Sequence, residues 1–492
     1  MKLKIKNLHW LAGRPVAILN DKTAKKINVF ANDRVAITNS KKVYAIADIF
    51  PKVIKQNQIG LSRELTKILK LKDNSFVKVS TSELSDATFL IKKKMQGKQL
   101  TKKEINYIIS EIVHNNLTEA EIAYFTAAEK LNGMSIKEIV NLTKAMVKTG
   151  VKLKFNGKYI ADKHCIGGIA GNRTTPIVIA ICATAGLILP KTSSRAITSA
   201  SGTADVIETI SNIELSLESL KSTVKKTGAC LAWGGSLGLA PSDDKIIRVE
   251  RLLNLDIEPQ LIASIISKKV AAGSKYIIID IPYGKGAKIE TLEKAKKLGI
   301  KFKEISKSFS LNIKVVFTKG SEPIGNGFGP TLEMLDILSV LQNSSNLPED
   351  LKEKSLFLSA ELMKLCRIKN ARKKAEEILS SGKAYKKFKE IINAQNGKKD
   401  FDKRINSLSL AKHKKIIRAK RDGKITEISN EGINSLCRIL GTPETISSGT
   451  YLHKHVGKIK KGESILTLYT ESRTKMKEAL KFLKESKLIK IK

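Results

Sequence analysis

Aromatic side chains make up only 5% of this 492-residue chain, so platforms on which unpaired bases could stack are scarce. Cysteine is scarcer still. Cys165, Cys182, Cys230, Cys366 and Cys437 show no CxxC pair or other metal-ligand spacing, which argues against a disulfide scaffold or thiolate metal site and fits a reducing cytoplasm. No apolar run reaches the roughly 20 residues that a membrane-spanning helix needs; the longest, 177–189, is shorter. Lys2 and Lys4 lead into Leu8-His9-Trp10 instead of an apolar core, so no signal peptide is expected. Acidic residues are also in deficit: 47 Asp and Glu face 89 Lys and Arg, for a net charge of +42. The excess is mostly Lys, spread from end to end with short clusters such as Lys92-Lys93-Lys94 and 412–420. Lysine is a solvated point charge and a poorer base reader than arginine. This pattern favours an enzyme that draws in anionic substrates over a dedicated nucleic-acid binder.

What the chain does have is concentrated between residues 163 and 208. A first loop reads Lys163-His164-Cys165-Ile166-Gly167-Gly168-Ile169-Ala170-Gly171-Asn172-Arg173-Thr174-Thr175. A second, residues 191–205, packs Ser193, Ser194, Arg195, Ala196, Ile197, Thr198, Ser199 and Thr203 around Gly202. Glycines let backbone amides approach an anion, and a helix N-terminus adds partial positive charge. Clustered hydroxyls donate in fixed directions, while Lys163 and Arg195 supply countercharge. The two loops together read as a phosphate site, separated by an apolar helical run, 177–189, that Pro190 should end.

Around this centre the period changes. Residues 1–85 read as a β-rich module: short strands at 2–5, 14–19, 34–38, 42–49 and 76–79, and a helical segment at 61–69. From 86 to 150 the pattern is helical, with capping-box pairs Thr118/Glu121 and Ser135/Glu138 and stop signals at Gly133 and Gly150. Ile122, Phe125, Ala128 and Leu131 form one expected core face; Ile136, Ile139, Val140 and Val147 form the next. Strand and helix then alternate. Residues 276–280 read as a buried parallel strand feeding the loop Pro282-Tyr283-Gly284-Lys285-Gly286-Ala287-Lys288, and 311–317 as its neighbour. Helices are expected at 331–342, at 351–366 and onward to about 393. Short strands follow from about 415, closing with an amphipathic helix at 472–484.

Three blocks carry a family resemblance. Ser194-Arg195 through Ser201-Gly202-Thr203-Ala204-Asp205-Val206-Ile207-Glu208, Lys163-His164 with Gly167-Gly168, and Ala263-Ser264-Ile265-Ile266-Ser267-Lys268-Lys269 resemble the thymidine/pyrimidine-nucleoside phosphorylase family over residues 86–492. The extra N-terminal module, the run at 191–199, Trp233-Gly234-Gly235 and Ala240-Pro241-Ser242-Asp243-Asp244 are similar to its archaeal-type AMP phosphorylase branch. Membership implies a multidomain α+β chain. An all-helical domain (86–150 plus about 241–270) would face a large α/β domain (151–240 plus 271–410) across a cleft, with the 1–85 module and a C-terminal α+β segment at 411–492.

The resemblance also implies roles. Lys163, Thr174, Ser193 and Thr203 would hold the attacking phosphate. Gly168, Ser194, Arg195, Ala196, Ile197, Thr198, Ser199, Thr203, Ser264, Lys268 and Lys288 would hold a nucleotide. The reaction would be phosphorolysis of a nucleoside 5′-monophosphate such as AMP, and also CMP or UMP, to the free base and ribose 1,5-bisphosphate. Asp256 or His164 would protonate the leaving base. An aspartate needs an apolar pocket for that task, and Leu252, Leu253, Leu255 and Ile257 would provide one. Departures from the nucleoside enzymes matter as much. Cys165 and Ile166 replace a Ser-Thr pair, Val249 stands where a pyrimidine-holding arginine is expected, and Lys285 and Lys288 replace uncharged residues. Lys288 points to a second anion, the 5′-phosphate; Lys285 fits that role and ordinary surface lysine equally.

His453 and His455 have metal-like spacing without a third ligand, so no metal and no organic cofactor is expected. A cytoplasmic homo-oligomer built from dimers, without membrane or specific nucleic-acid partners, completes the expectation. A thymidine/pyrimidine-nucleoside phosphorylase is the first alternative, and a basic RNA-associated non-enzyme the more distant one.

Overall fold

Alternation of buried and exposed residues closes the first 81 residues into a barrel. In this computed structural model, which describes residues 1–81, 85–196, 199–252 and 256–492, the strands Lys2–Asn7, Val16–Leu19, Arg34–Thr38, Lys42–Ile49, Gln58–Leu61 and Phe76–Thr81 pair in the order first, fifth, second, fourth, third, sixth. Closure removes the exposed edges that an open sheet of this size would present. Leu3, Ile5, Val35, Ile37, Val43, Ala45, Val77 and Val79 fill the interior at period two. The expected helical segment at 61–69 begins only at Arg63, because Leu61 still pairs in a strand and Ser62 caps the helix. Asn20 caps a short helix, Asp21–Lys26.

The chain divides into two compact units, the first holding residues 1–149 with 241–261 and the second 150–240 with 262–492. Beside the barrel, the first unit has helices Ala87–Met95, Lys102–Val113, Glu119–Asn132, Ile136–Thr149 and Pro241–Leu252. Thr118 and Glu121 form the expected capping box, and Ser135 and Glu138 exchange the same pair of bonds. Glu138 is buried and also takes Lys94 Nζ at 2.9 Å. Ile122, Phe125 and Ala128 are buried as expected, but Leu131 is 82% exposed because the helix is in its last turn there.

The second unit is built on parallel strands. Ala161–Cys165 pairs with Tyr276–Tyr283, which pairs with Asn312–Lys319; Leu189–Ser193 pairs with Ala229–Trp233, and a parallel bridge from Ile160 to Ile188 joins the two groups. The helix Thr174–Thr184 is apolar all round and buried. It stops at Ala185–Gly186, not at Pro190, which lies inside the strand Leu189–Ser193. Gly186 has φ +91°, and that turn reverses the chain before the proline is reached. Helices Pro330–Leu341, Glu349–Leu365, Ala371–Ser380 and Lys383–Asn396 complete the cover, and a C-terminal α+β segment follows from His413.

Candidate active site

Three loops leave the carboxyl ends of parallel strands: 166–173 after Ala161–Cys165, 194–202 after Leu189–Ser193, and 284–288 after Tyr276–Tyr283. In open α/β sheets, that edge is where ligands bind. The sequence places its glycines where these turns need them. Gly167 and Gly168 have φ of +90° and +89°, a region that side chains disfavour.

Lys163 is fully buried in the middle of the strand Ala161–Cys165. Its Nζ donates to Thr174 Oγ1 at 2.8 Å and Thr175 Oγ1 at 3.3 Å, so two of the expected phosphate-holding residues meet across the loop. Burial lowers its pKa, with the nearby Asp280 opposing that shift. Ser193 Oγ is buried with no hydrogen-bond partner among the described residues, an arrangement that native proteins seldom leave without a ligand or water. Thr203 begins the helix Thr203–Glu208, and the Ala204 amide donates to the Ser194 carbonyl at 3.3 Å. Gly202 passes so close to the backbone of Arg195 and Ala196 that a Cβ would not fit. Ser199 Oγ donates to the Ser201 carbonyl at 2.7 Å. Ile197 and Thr198 lie outside the described residues.

Arg195 is oriented by carboxylates. Its Nη2 donates to Glu208 at 2.8 Å and Nη1 to Asp205 at 3.3 Å, and its guanidinium stacks over Trp233 at 4.9 Å. The Glu208 hydrogen bond, partly offset by burial, raises its pKa, so it is a permanent cation. Asp205 also accepts the Ala196 and Gly202 amides at 2.7 Å each, which fixes both ends of the loop.

The third loop meets the first. A Cβ on Gly168 would lie 2.7 Å from the Lys288 nitrogen and 2.8 Å from the Lys288 Cβ, so the two backbones touch at a point only glycine permits. Lys285, by contrast, is exposed and pairs with Glu427 at 2.8 Å. On the helix Glu258–Ala271, Lys268 Nζ reaches Ser264 Oγ at 3.4 Å.

His164 is half-buried. Burial first, then Lys269, Lys191, Lys163 and Lys268, drive its pKa well below the ordinary value, so its imidazole is neutral near pH 7. Asp256 belongs to the first unit and is exposed, its carbonyl accepting Lys130 Nζ at 2.9 Å. The apolar enclosure expected around it is not formed by Leu252, which is 71% exposed; Ile257 is buried, and Leu253 and Leu255 lie outside the described residues. Val249 is buried on its helix, and Arg248 instead donates to the Gly13 carbonyl at 3.0 Å. His453 and His455 bond separately to Thr467 and Asn326, and no group of three metal-ligating side chains occurs among the described residues.

Two clusters escaped sequence reasoning. Asp162 is fully buried and binds Lys269 at 2.7 Å and Lys191 at 3.3 Å, while accepting the Lys163 amide at 2.7 Å. Burial opposes its ionisation, but the two ammonium groups outweigh that and its pKa is lowered. It thereby ties together the strands behind the first two loops and the helix Glu258–Ala271. Arg173 pairs with buried Glu333 and donates to the Ser201 carbonyl, linking the ends of the two loops. Adjacency of Asp162 to Lys163 was the only signal available in the sequence.

With this geometry in place, kinship can be judged. The helical bundle domain of the glycosyl transferase family matches residues 89–150, and the a/b domain of the same family matches 157–385. The AMP phosphorylase of Pyrococcus furiosus is 40% identical over 495 residues, covering 100% of this chain and 98% of that one. The chain belongs to the AMP phosphorylase family. Other members include the AMP phosphorylases of Thermococcus kodakarensis, 38% identical with 100% and 98% covered, and Methanocaldococcus jannaschii, 38% identical with 95% and 93% covered. The fold is shared more widely. Anthranilate phosphoribosyltransferase from Thermus thermophilus superposes with a TM-score of 0.52 at 16% identity, covering 63% of this chain and 99% of that one. The Saccharomyces cerevisiae enzyme, solved with PRPP and Mg, gives 0.50 at 14% identity, covering 64% of this chain and 100% of that one.

Proposed function

We propose that this member of the family catalyses phosphorolysis of AMP, giving adenine and ribose 1,5-bisphosphate. The observation that carries the reading is the contact of Gly168 with Lys288, which joins the phosphate loop to a lysine loop in one cradle. A nucleoside enzyme holds one anion; a nucleotide enzyme must hold two near the same sugar.

In this reading an oxygen of inorganic phosphate bonds to C1′ as the C1′–N bond breaks, and adenine leaves with a proton. Lys163, Thr174, Ser193 and Thr203 hold the attacking phosphate, and the unpartnered Ser193 hydroxyl supports that role. Gly168, the 194–199 loop, Thr203, Ser264, Lys268 and Lys288 hold the nucleotide. Positioning and electrostatics then do most of the work. His164, whose pKa burial and the surrounding lysines lower, can accept or donate one hydrogen bond to phosphate. Proton donation is assigned to Asp256, an assignment that rests on its family position alone. The substrate base would have to cover its exposed carboxyl to give the dry surroundings a carboxylic acid needs.

The reaction uses phosphate as co-substrate and invokes no metal or organic cofactor. Assembly into a homo-oligomer of dimers, and residence in the cytoplasm, belong to the same proposal; five free cysteines suit a reducing compartment. The test is phosphate-dependent base release from AMP, CMP, UMP, adenosine and thymidine, run side by side. Release from monophosphates alone supports the reading, and release from thymidine alone overturns it.

A further inference from the structure

The helix Asn430–Leu440 is distant in sequence from the substrate loops, yet it bonds to two of them. Asn430, buried at its first residue, accepts the Ala170 amide on Oδ1 at 3.0 Å and donates from Nδ2 to the Gly320 carbonyl at 3.1 Å. One turn later Asn434 accepts the Ala200 amide at 2.9 Å. Residues four apart share a helix face, so one stripe of this helix addresses the loops 166–173 and 194–202 together. The packing agrees. Ala170, Ala200 and Phe328 are buried in the same apolar cluster as Ile425, Ile428, Ile433, Leu436, Cys437 and Leu468 of the C-terminal segment.

These bonds answer a specific need. The amides of Ala170 and Ala200 belong to buried residues in loops that have no strand or helix ladder to pair with. Three glycines with positive φ, Gly167, Gly168 and Gly171, leave the first loop many alternative paths once its anchors are removed. The Gly320 carbonyl, held by the other end of the Asn430 amide, belongs to the turn after the strand Asn312–Lys319, so Asn430 also joins that turn to the phosphate loop.

We propose that Asn430 and Asn434 are positioning residues that clamp both substrate loops in their binding geometry, making the C-terminal segment part of the active-site scaffold as well as any assembly surface. The kinetic side rests on the phosphorolytic reading; the structural side does not.

The test uses the full chain with Asn434→Leu, which keeps the heavy-atom branching and removes the acceptor, and Asn434→Asp, which restores it. Asn430→Ala joins them, and Ile459→Ala serves as a comparison that weakens the same apolar core. Asn434→Leu is expected to raise KM for AMP and phosphate about tenfold with kcat changed less than about threefold, the size expected from one unsatisfied buried amide. Asn434→Asp should recover most of that, and Ile459→Ala should lower Tm without moving KM. Hydrogen exchange should quicken over 166–173 in Asn430→Ala and over 199–203 in Asn434→Leu, and in neither loop for Ile459→Ala. Parental KM in Asn434→Leu, no recovery in Asn434→Asp, or the same KM change in Ile459→Ala would overturn the clamp. So would a change of assembly state, read by sedimentation, with unchanged loop exchange. If the parent released no base from any substrate, the phosphorolytic reading would fail and exchange alone would decide the clamp. If the variants did not fold, the parent would decide it: Ala170 and Ala200 amides exchanging as fast as exposed ones would refute it.

Discussion

Gly167 and Gly168 offer a matched pair of perturbations at the centre of the site. Both have φ near +90°, so an alanine at either position carries a backbone cost of about 1–2 kcal/mol. Their surroundings differ. A Cβ at Gly167 meets nothing within 4 Å, whereas at Gly168 it lies 2.7 Å from the Lys288 nitrogen and 2.8 Å from its Cβ. Ordinary contact begins near 3.4 Å, so the lysine loop must withdraw by roughly 0.7 Å. Displacements of about 1 Å in a binding group can cost about a hundredfold in rate. Gly167→Ala should therefore lower Tm by about 1–3 °C, and Gly168→Ala by more, because its Cβ also displaces the Lys288 backbone. Only Gly168→Ala should also lower kcat/KM for AMP by a further factor of about 30. Phosphate-dependent adenine release and thermal melts on both variants give the comparison. Equal kcat/KM in the two variants would refute the claim that the Gly168–Lys288 contact sets the nucleotide site.

Lys288→Ala should weaken AMP far more than adenosine as a substrate, by about tenfold or more, since it removes a charge-assisted contact to the 5′-phosphate; an unchanged preference between the two rejects the role. Asp256→Asn should lower kcat by about a hundredfold or more while AMP affinity, read by equilibrium binding, stays near the parental value; equal loss in both sinks the proton-donor assignment. Glu129, fully buried with Gln260 Nε2 at 2.8 Å, has a pKa raised by burial from 4.5 to about 8. Because the folded value lies above the unfolded one, its contribution is complete below about pH 4.5 and is lost as pH climbs through 8. Glu129→Gln should remove that loss, leaving the parent on the order of 3 kcal/mol worse off across pH 5–8; parallel stability curves for the two proteins would contradict it.

Local signals were readable where local physics decides the structure. The capping boxes, the parallel strand Tyr276–Tyr283 and the glycine-rich turn after Ala161–Cys165 could all be read from residue type and spacing. Pro190 misled because proline signals the end of a helix, while here a glycine turn had already reversed the chain and the proline entered a strand. Leu131 misled because periodicity continues to the end of a helix even where no neighbour covers the last turn. The residues that hold the site together were out of reach for another reason. Asp162 finds Lys269 107 positions away, Ala170 finds Asn430 260 away, and Ala200 finds Asn434 234 away. No pattern over a short window of sequence records such pairings. Asp256 shows the opposite limit: its role comes from the resemblance alone, while its exposed carboxyl shows no enclosure of the kind that role requires among the described residues.

Phosphorolysis makes one demand that hydrolysis does not: the phosphate must end on the sugar. Incubating the protein with AMP and isotopically labelled inorganic phosphate, then identifying the sugar by phosphorus NMR and mass spectrometry, tests the account most directly. Ribose 1,5-bisphosphate carrying one labelled phosphate should form in step with adenine. Unlabelled ribose 5-phosphate, or no adenine release when phosphate is supplied, would contradict it.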